Sequence, residues 1–307
     1  MKEPNPQPPV DIRLLALDRG ARAVLRGLNW TVPRGSATGL LGRNGSGKSS
    51  LMHAMLGLSV DFTSDACMTL GQNAKCLDDD ALERIGFVDQ HYELIDWLRV
   101  DEHVHYVERM RARWDVSLQD RLLDAFELRE LAGLKVEALS PGARQRLAVM
   151  LALCHRPDLL VLDEPVSAQD PIFRRVMLDA LRERVIEDGT TLILSSHVLR
   201  DVEAVVDRVA VLHGGRIAID EELDVLKESY QQWVVVGTSI SDEDLAQLSY
   251  VVTSERVSGA LILHVRGGEA ERRELEARFS VSVQVRSLDL ERLFPVLVGA
   301  EAEVAGS

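Results

Sequence analysis

Gly42-Arg43-Asn44-Gly45-Ser46-Gly47-Lys48-Ser49 is where this 307-residue chain concentrates its chemistry. The stretch fits G-x-x-x-x-G-K-[ST], a loop whose backbone N–H groups converge on a helix N-terminus, where the dipole favours phosphate. Gly42, Gly45 and Gly47 permit the tight path, and Arg43, Asn44, Ser46 and Ser50 belong to the same cradle. Lys48 supplies a cation for β- and γ-phosphates, and the Ser49 hydroxyl is placed for Mg²⁺.

Further on, Leu159-Leu160-Val161-Leu162 is an apolar strand that ends in Asp163-Glu164. Asp163 then lies at the sheet edge beside the loop, where a carboxylate coordinates Mg²⁺ through water. Glu164 is the candidate base that orients the attacking water. Alone, Asp-Glu-Pro would merely end a strand in a turn; paired with the loop it reads as half of a hydrolytic site. Gln90 closes the run Ile85-Gly86-Phe87-Val88-Asp89, a place from which a neutral amide reaches both Mg²⁺ and water. His197 follows the strand ending at Ser195, and its imidazole is placed to bond a γ-phosphate and sense its loss. Between the two halves stands Leu139-Ser140-Pro141-Gly142: Ser140 suits an N-cap, Pro141 the first helical position, and Gly142 exposes an N–H at the positive helix end.

The elements needed to position these residues are legible in the periodicity. Residues 11–36 alternate apolar runs and turns, as an antiparallel sheet does. Thr38–Leu41 feeds the glycine loop and Lys48–Leu58 continues as a helix. The pattern is helical from Asp101 to Leu134 and again from Arg144 to His155. Strands 158–162, 190–195 and 208–212 then alternate with helices 172–187 and 198–206, which predicts an α/β fold with a mainly parallel sheet. After about Asp220 the order reads βαββαβ, a small split-βαβ domain of α+β type. The predicted organisation is a disordered tail at 1–10, a nucleotide-binding region at 11–220 with a helical subdomain near 91–155, and an accessory domain at 221–307.

Bulk properties narrow the classes. The chain is 46% hydrophobic and 27% charged, which excludes a disordered or fibrous protein. Its net charge of −14 argues against nucleic acid or anionic lipid as a direct partner. No apolar run reaches the roughly 18–20 residues that span a bilayer, so a membrane role must come through a separate subunit. The proline-rich start, Met1 to Pro9, has no hydrophobic segment behind it and reads as a frayed tail and not as a signal peptide. Cys67, Cys76 and Cys154 are sparse, odd in number and without C-x-x-C spacing, which suggests a reducing cytosol.

The combined motifs resemble the nucleotide-binding subunit of an ABC transporter, over residues of about 11–220. That resemblance implies a P-loop NTPase cassette with an antiparallel β subdomain, a parallel-sheet core and a helical subdomain. It implies ATP and Mg²⁺ as ligands, ATP hydrolysis as the activity, and a homodimer sandwiching two ATP molecules. Ser140, Pro141 and Gly142 of one cassette would then meet the γ-phosphate held by the other, and Ser167-Ala168-Gln169-Asp170 matches the loop that communicates across the interface through Ser167 and Asp170. It also implies an integral membrane partner and a place on the cytoplasmic face. The segment Ser196-His197-Val198-Leu199 through Asp207-Arg208-Val209, then Gly214-Gly215-Arg216, is similar to ATPases of the ABC-2 exporter type, as is the tail Ser287–Phe294. Three departures stand out. Pro141 replaces the usual Gly and removes a backbone donor, Ala143 replaces a long polar residue, and Arg19 stands where an aromatic normally stacks on adenine.

Other classes compete with a transport motor. A soluble ABC mechanoenzyme acting on DNA or ribosomes would carry a long coiled coil or a second cassette, and neither is seen in the sequence. A non-catalytic regulator is disfavoured by the presence of both Glu164 and His197.

Overall fold

The computed structural model describes residues 7–59, 61–236, 240–257 and 259–304, with side chains described through residue 298. Of the tail expected at 1–10, residues 1–6 lie outside the described residues, and the first strand begins at Val10. The chain divides into two compact units, Met1–Ile217 and Ala218–Ser307.

In the first unit, β1 (Val10–Arg19) and β2 (Arg22–Val32) form an antiparallel hairpin. β3 (Ala37–Leu41) leads through the glycine loop into α1 (Lys48–Met55). This helix stops three residues short of the predicted Leu58, because Gly57 turns to φ +71 and a Cβ there would meet Ala74 O at 2.2 Å. The chain then adds β4 (Phe62–Thr63) and β5 (Ala66–Thr69) to β1, and β6 (Gln72–Asn73) to β5. Short α2 (Asp79–Glu83), capped by Asp78, precedes β7 (Ile85–Val88).

The stretch read as helical from 101 to 134 is two helices, α3 (Val100–Met110) and α4 (Val116–Ala125), followed by irregular turns. The break occurs because Asp115 leaves helical geometry and caps α4, its side chain accepting from Leu118 N at 2.9 Å. Next come α5 (Pro141–Cys154), β8 (Leu159–Asp163), α6 (Pro171–Asp188), β9 (Thr191–Ser195), α7 (Leu199–Val205), β10 (Arg208–His213) and β11 (Arg216–Glu222).

The second sheet has the order β11-β10-β3-β9-β8-β7, and from β10 to β7 every pairing is parallel. Its central strands β3, β8 and β9 are buried at every position, which is why they read as unbroken apolar runs and not as alternation. The antiparallel sheet, α1 and one face of the parallel sheet share a core built on Leu15, Leu28, Leu40, Met52, Met55, Val161 and Ile193. Each such aliphatic side chain contributes ~1.5–3 kcal/mol by leaving water. That core fixes the carboxyl ends of β3, β7, β8 and β9, where the chemistry lies.

The second unit contains α8 (Leu223–Ser229), β12 (Tyr230–Val236), α9 (Asp242–Ala246), β13 (Val251–Val257), β14 (Ala260–Arg266), α10 (Glu269–Phe279), β15 (Val283–Ser287) and α11 (Leu290–Val304). Its sheet order is β13-β14-β12-β15, antiparallel throughout, with each βαβ split by an inserted strand. Trp233, Val235, Leu261, Leu263 and Val265 turn one sheet face toward Leu245, Leu248 and Leu275. The helix α11 buries Leu290, Leu293, Val296 and Leu297, a single stripe of its surface. Of the described helices, none is long and apolar enough to cross a membrane.

Candidate functional site

A cavity of about 450 Å³ opens at the carboxyl edge of the parallel sheet, lined by Asn44, Gly45, Lys48, Gln90, Asp163, Glu164, Ser167 and His197. Four separate strand ends deliver these residues to one place. The glycine loop supplies its floor. Gly47 has φ +109, and a Cβ on it would meet Val24 Cγ1 at 2.9 Å, so the loop closes against β2 only with glycine there. Lys48 Nζ donates to Gly42 O at 2.9 Å, which folds its ammonium back over the loop. Burial lowers the Lys48 pKa, and Glu164 and Asp163 oppose that shift.

Asp163 is buried and held from two sides: Ser49 Oγ donates to one carboxylate oxygen and Ser195 Oγ to the other. A hydroxyl and a fixed carboxylate in contact form an oxygen donor pair suited to a hard divalent cation. Glu164 carries φ +56, a left-handed conformation rare for a residue with a Cβ. It is pinned at every polar group that could release it. Its N–H donates to Ser195 O at 3.1 Å and lies 3.2 Å from Ser195 Oγ. Its carbonyl accepts from Gln145 Nε2 at 2.9 Å, and its carboxylate lies 2.6 Å from His197 Nδ1.

The signature residues do not join this cavity. Ser140 caps α5, its hydroxyl accepting from Ala143 N at 3.2 Å, and Pro141 occupies the first turn. Ser140 and Pro141 are exposed. Asp170, also exposed, caps α6 by accepting from Ile172 N at 2.9 Å and Phe173 N at 3.1 Å. Ser167 lines the cavity. Arg43, Ser46, Gly47, Ser49 and Ser50 build the loop and the helix behind it without lining the cavity. Arg19 is exposed at the end of β1, and Arg22, across the hairpin turn, is the side chain that reaches the loop, with Nη2 3.4 Å from Gly45 O.

Sequence reasoning missed the brace behind the site. Gln145 and Gln169 are buried, and Gln145 Oε1 accepts from Ala168 N at 3.1 Å and from Gln169 Nε2 at 3.0 Å. Gln169 Nε2 also donates to Gly142 O at 2.8 Å, and Gln145 Nε2 stands 3.3 Å from Ser167 Oγ. The available signal was two uncharged amides at the start of α5 and in the loop after β8. Ser195 escaped notice as well, because a serine ending a buried strand carries no pattern of its own.

A family model described as ABC transporter matches residues 25–167. Over 304 residues the chain is 31% identical to the Nod factor export ATP-binding protein I of Burkholderia lata, covering 97% of this chain and 99% of that protein. The chain belongs to the ATP-binding subunits of ABC transporters. It is thereby an ABC ATPase, and it binds ATP. The methionine import ATP-binding protein MetN of Rhizobium etli is also 31% identical, over 88% of this chain and 78% of that protein. Among solved structures, the fold matches an ATP-binding subunit of an ABC transporter with TM-score 0.65 at 24% identity, over 71% of this chain and 91% of that one. A dimeric bacterial ABC transporter cassette matches with TM-score 0.63 at 23% identity, over 70% and 98%. These last two establish the α/β cassette fold of this ABC subunit.

Proposed function

We propose that this ABC subunit is the ATP-hydrolysing motor of an exporter, closing as a homodimer over two ATP molecules and driving a separate membrane subunit. The observation that supports export is the end-to-end correspondence with a Nod factor export protein, which extends through the C-terminal unit. The import relative MetN, of equal identity, leaves more of its own length unmatched.

In this reading Arg43, Asn44, Gly45, Ser46, Gly47 and Ser50 wrap the phosphates, and Lys48 neutralises their charge. Ser49, Asp163 and Gln90 would hold Mg²⁺, which when bound offsets charge developing on the phosphate oxygens. Glu164 accepts the proton of the attacking water, and His197 fixes the carboxylate from Nδ1. Arg19 would stack on the adenine by cation–π contact. Ser140 and Gly142 bind the partner's γ-phosphate, Pro141 shapes that helix start, and Ser167 and Asp170 meet the partner. The organisation proposed is a cassette at 11–220 with a helical subdomain near 91–155 and an accessory domain at 221–307, the whole held at the cytoplasmic face through the membrane subunit.

Glu164→Gln keeps the size and the hydrogen bonding of the side chain but removes the base. Turnover should fall ~10²–10⁴-fold while ATP binding survives, and size exclusion with ATP should show a stable dimer. An unchanged turnover rate would sink the catalytic assignment. Export is tested by co-purification with a neighbouring protein of about six apolar segments of roughly 20 residues, followed by ATP-driven transport in inside-out vesicles. Accumulation of cargo inside such vesicles supports export, and depletion of preloaded cargo supports import.

A further inference from the structure

The C-terminal unit contains a cavity of about 600 Å³ between α11 and the sheet face opposite the Trp233 core. Its floor includes one complete rung of the sheet. Thr253 on β13 stands opposite His264 on β14, His264 opposite Gln232 on β12, and Gln232 opposite Arg286 on β15. All four side chains are polar and line the same cavity. Both imidazole nitrogens are engaged: His264 Nδ1 lies 3.0 Å from Thr253 Oγ1, and Nε2 lies 3.2 Å from Gln232 Nε2. With both nitrogens held this way, the imidazole is fixed across the rung. Burial holds the His264 pKa below its ordinary value, with Glu255 opposing and Arg292 adding to the shift.

The roof is equally informative. Where α11 merely covers the sheet it buries Leu290, Leu293 and Leu297. Over the cavity it presents Arg292 beside Pro295 and Val296. Neither Arg286 nor Arg292 makes an ion pair with another described residue, so two guanidiniums face one space with their charge uncompensated by a direct contact. Glu291 also lines the cavity, and it has a partner of its own.

We propose that this cavity is a binding site for a monoanionic amphiphile, its carboxylate held by Arg286 and Arg292 and its apolar body lying against Ile262, Pro295 and Val296. Guanidinium presents a planar fork of donors that matches a carboxylate, and the volume falls in the range of small-molecule pockets. A polar rung spanning all four strands holds its own side chains in place through cross-strand contacts. It supplies acceptors and donors that orient a bound molecule.

The full-length protein, with ADP saturating the phosphate loop, is titrated with octanoate and with octan-1-ol by calorimetry. Octanoate should bind saturably at one site per chain, and octan-1-ol ~10-fold more weakly, because charge-assisted hydrogen bonds to the arginines are lost. Arg286→Ala/Arg292→Ala changes two exposed side chains and should weaken octanoate ~10-fold or more with the unfolding transitions unmoved. Ile262→Trp keeps both guanidiniums and fills the floor, so it should also abolish saturation. Absence of saturable octanoate binding, equal affinity for octan-1-ol, or unchanged affinity in the double arginine variant would each overturn the assignment. So would inorganic phosphate displacing octanoate at equal concentration.

Discussion

Gln145→Leu isolates the brace behind Glu164, because Leu preserves the volume and removes only the amide. In the native structure Gln145 Nε2 donates to Glu164 O at 2.9 Å, and its Oε1 accepts from Ala168 N at 3.1 Å and Gln169 Nε2 at 3.0 Å. The substitution strands the Ala168 N–H and leaves the Glu164 carbonyl with only its 3.3 Å bond from Ser167 N, while Gln169 keeps its bond to Gly142 O. Each stranded buried group costs ~1–3 kcal/mol, and Ala168 is exposed enough for water to replace part of its loss. The sum is a destabilisation of ~1–2 kcal/mol. Glu164 at φ +56 then loses one of the anchors that hold a strained backbone, so its carboxylate should wander, and kcat should fall ~10–100-fold. Lys48 and the glycine loop are untouched, so KM for ATP should stay within about twofold. Urea unfolding with and without ATP identifies the cassette transition as the one that ATP shifts. A double-mutant cycle with Gln169→Leu should give a coupling of ~1 kcal/mol. A stability loss below ~1 kcal/mol, or a full loss of stability with unchanged kcat, would refute the idea that this brace positions Glu164.

Ser195→Ala removes the hydroxyl that holds Asp163 and should lower stability by ~1–3 kcal/mol and kcat along with it, read by urea titration and steady-state ATPase assay. Gly57→Ala places a Cβ 2.2 Å from Ala74 O at φ +71 and should cost more than ~2 kcal/mol, visible as a lowered Tm without a change in KM. Pro141→Gly frees the start of α5 in the unfolded chain and should lower stability by ~0.5–1 kcal/mol; faster turnover in the same variant would show that proline restrains the signature helix. Burial, helped by Arg111, pushes His155 down to about 4 from 6.5, and its bond to Ile85 O only partly offsets this. The folded state therefore excludes a proton that the unfolded state binds: the contribution is full above pH 6.5, and ~3 kcal/mol is lost as pH falls to about 4. A His155→Gln variant should flatten the stability profile across that window in pH-dependent melting.

The glycine loop was legible because its residue types are dictated by one short loop. The strand ends were legible because buried parallel strands are unbroken apolar runs that stop where polar residues begin. Ser140 and Pro141 could be placed at a helix start from local capping chemistry alone, and the structure puts them there. What escaped notice depends on contacts between segments distant in sequence. The Gln145–Gln169 pair joins the start of α5 to the loop after β8, and no spacing rule links those positions. The same holds for Arg22, which reaches Gly45 only because the β1–β2 hairpin folds over the loop. The long helical reading of 101–134 failed for a local reason: one aspartate cap outweighed a continuous amphipathic pattern. In the C-terminal unit, alternation revealed the strands, but the polar rung from Thr253 to Arg286 needed their registers.

These contacts separate two kinds of residue in the cassette. Lys48, Asp163, Glu164 and His197 line a single cavity, Glu164 paired with His197 and the other two bonded to Gly42, Ser49 and Ser195 of the same chain. Ser140 and Pro141 face solvent; Ser140 is bonded within its own helix start, and Pro141 O accepts from Tyr92 Oη at 3.4 Å. In a dimer of the proposed kind, a phosphate arriving at that start pulls on α5 close to Gly142. Gly142 O is bonded to Gln169, Gln169 to Gln145, and Gln145 to the carbonyl of Glu164. Three hydrogen bonds thus connect the surface proposed to receive the partner's ATP to the main-chain carbonyl of Glu164, the proposed catalytic residue. Coupling of this kind is reciprocal in free energy, so whatever partner binding does to the geometry of Glu164, occupancy at Glu164 does to partner affinity. Weakening the brace should therefore loosen ATP-driven dimerisation in a Glu164→Gln background, where no hydrolysis intervenes. If Gln145→Leu leaves that dimerisation constant unchanged, the two surfaces communicate by another route.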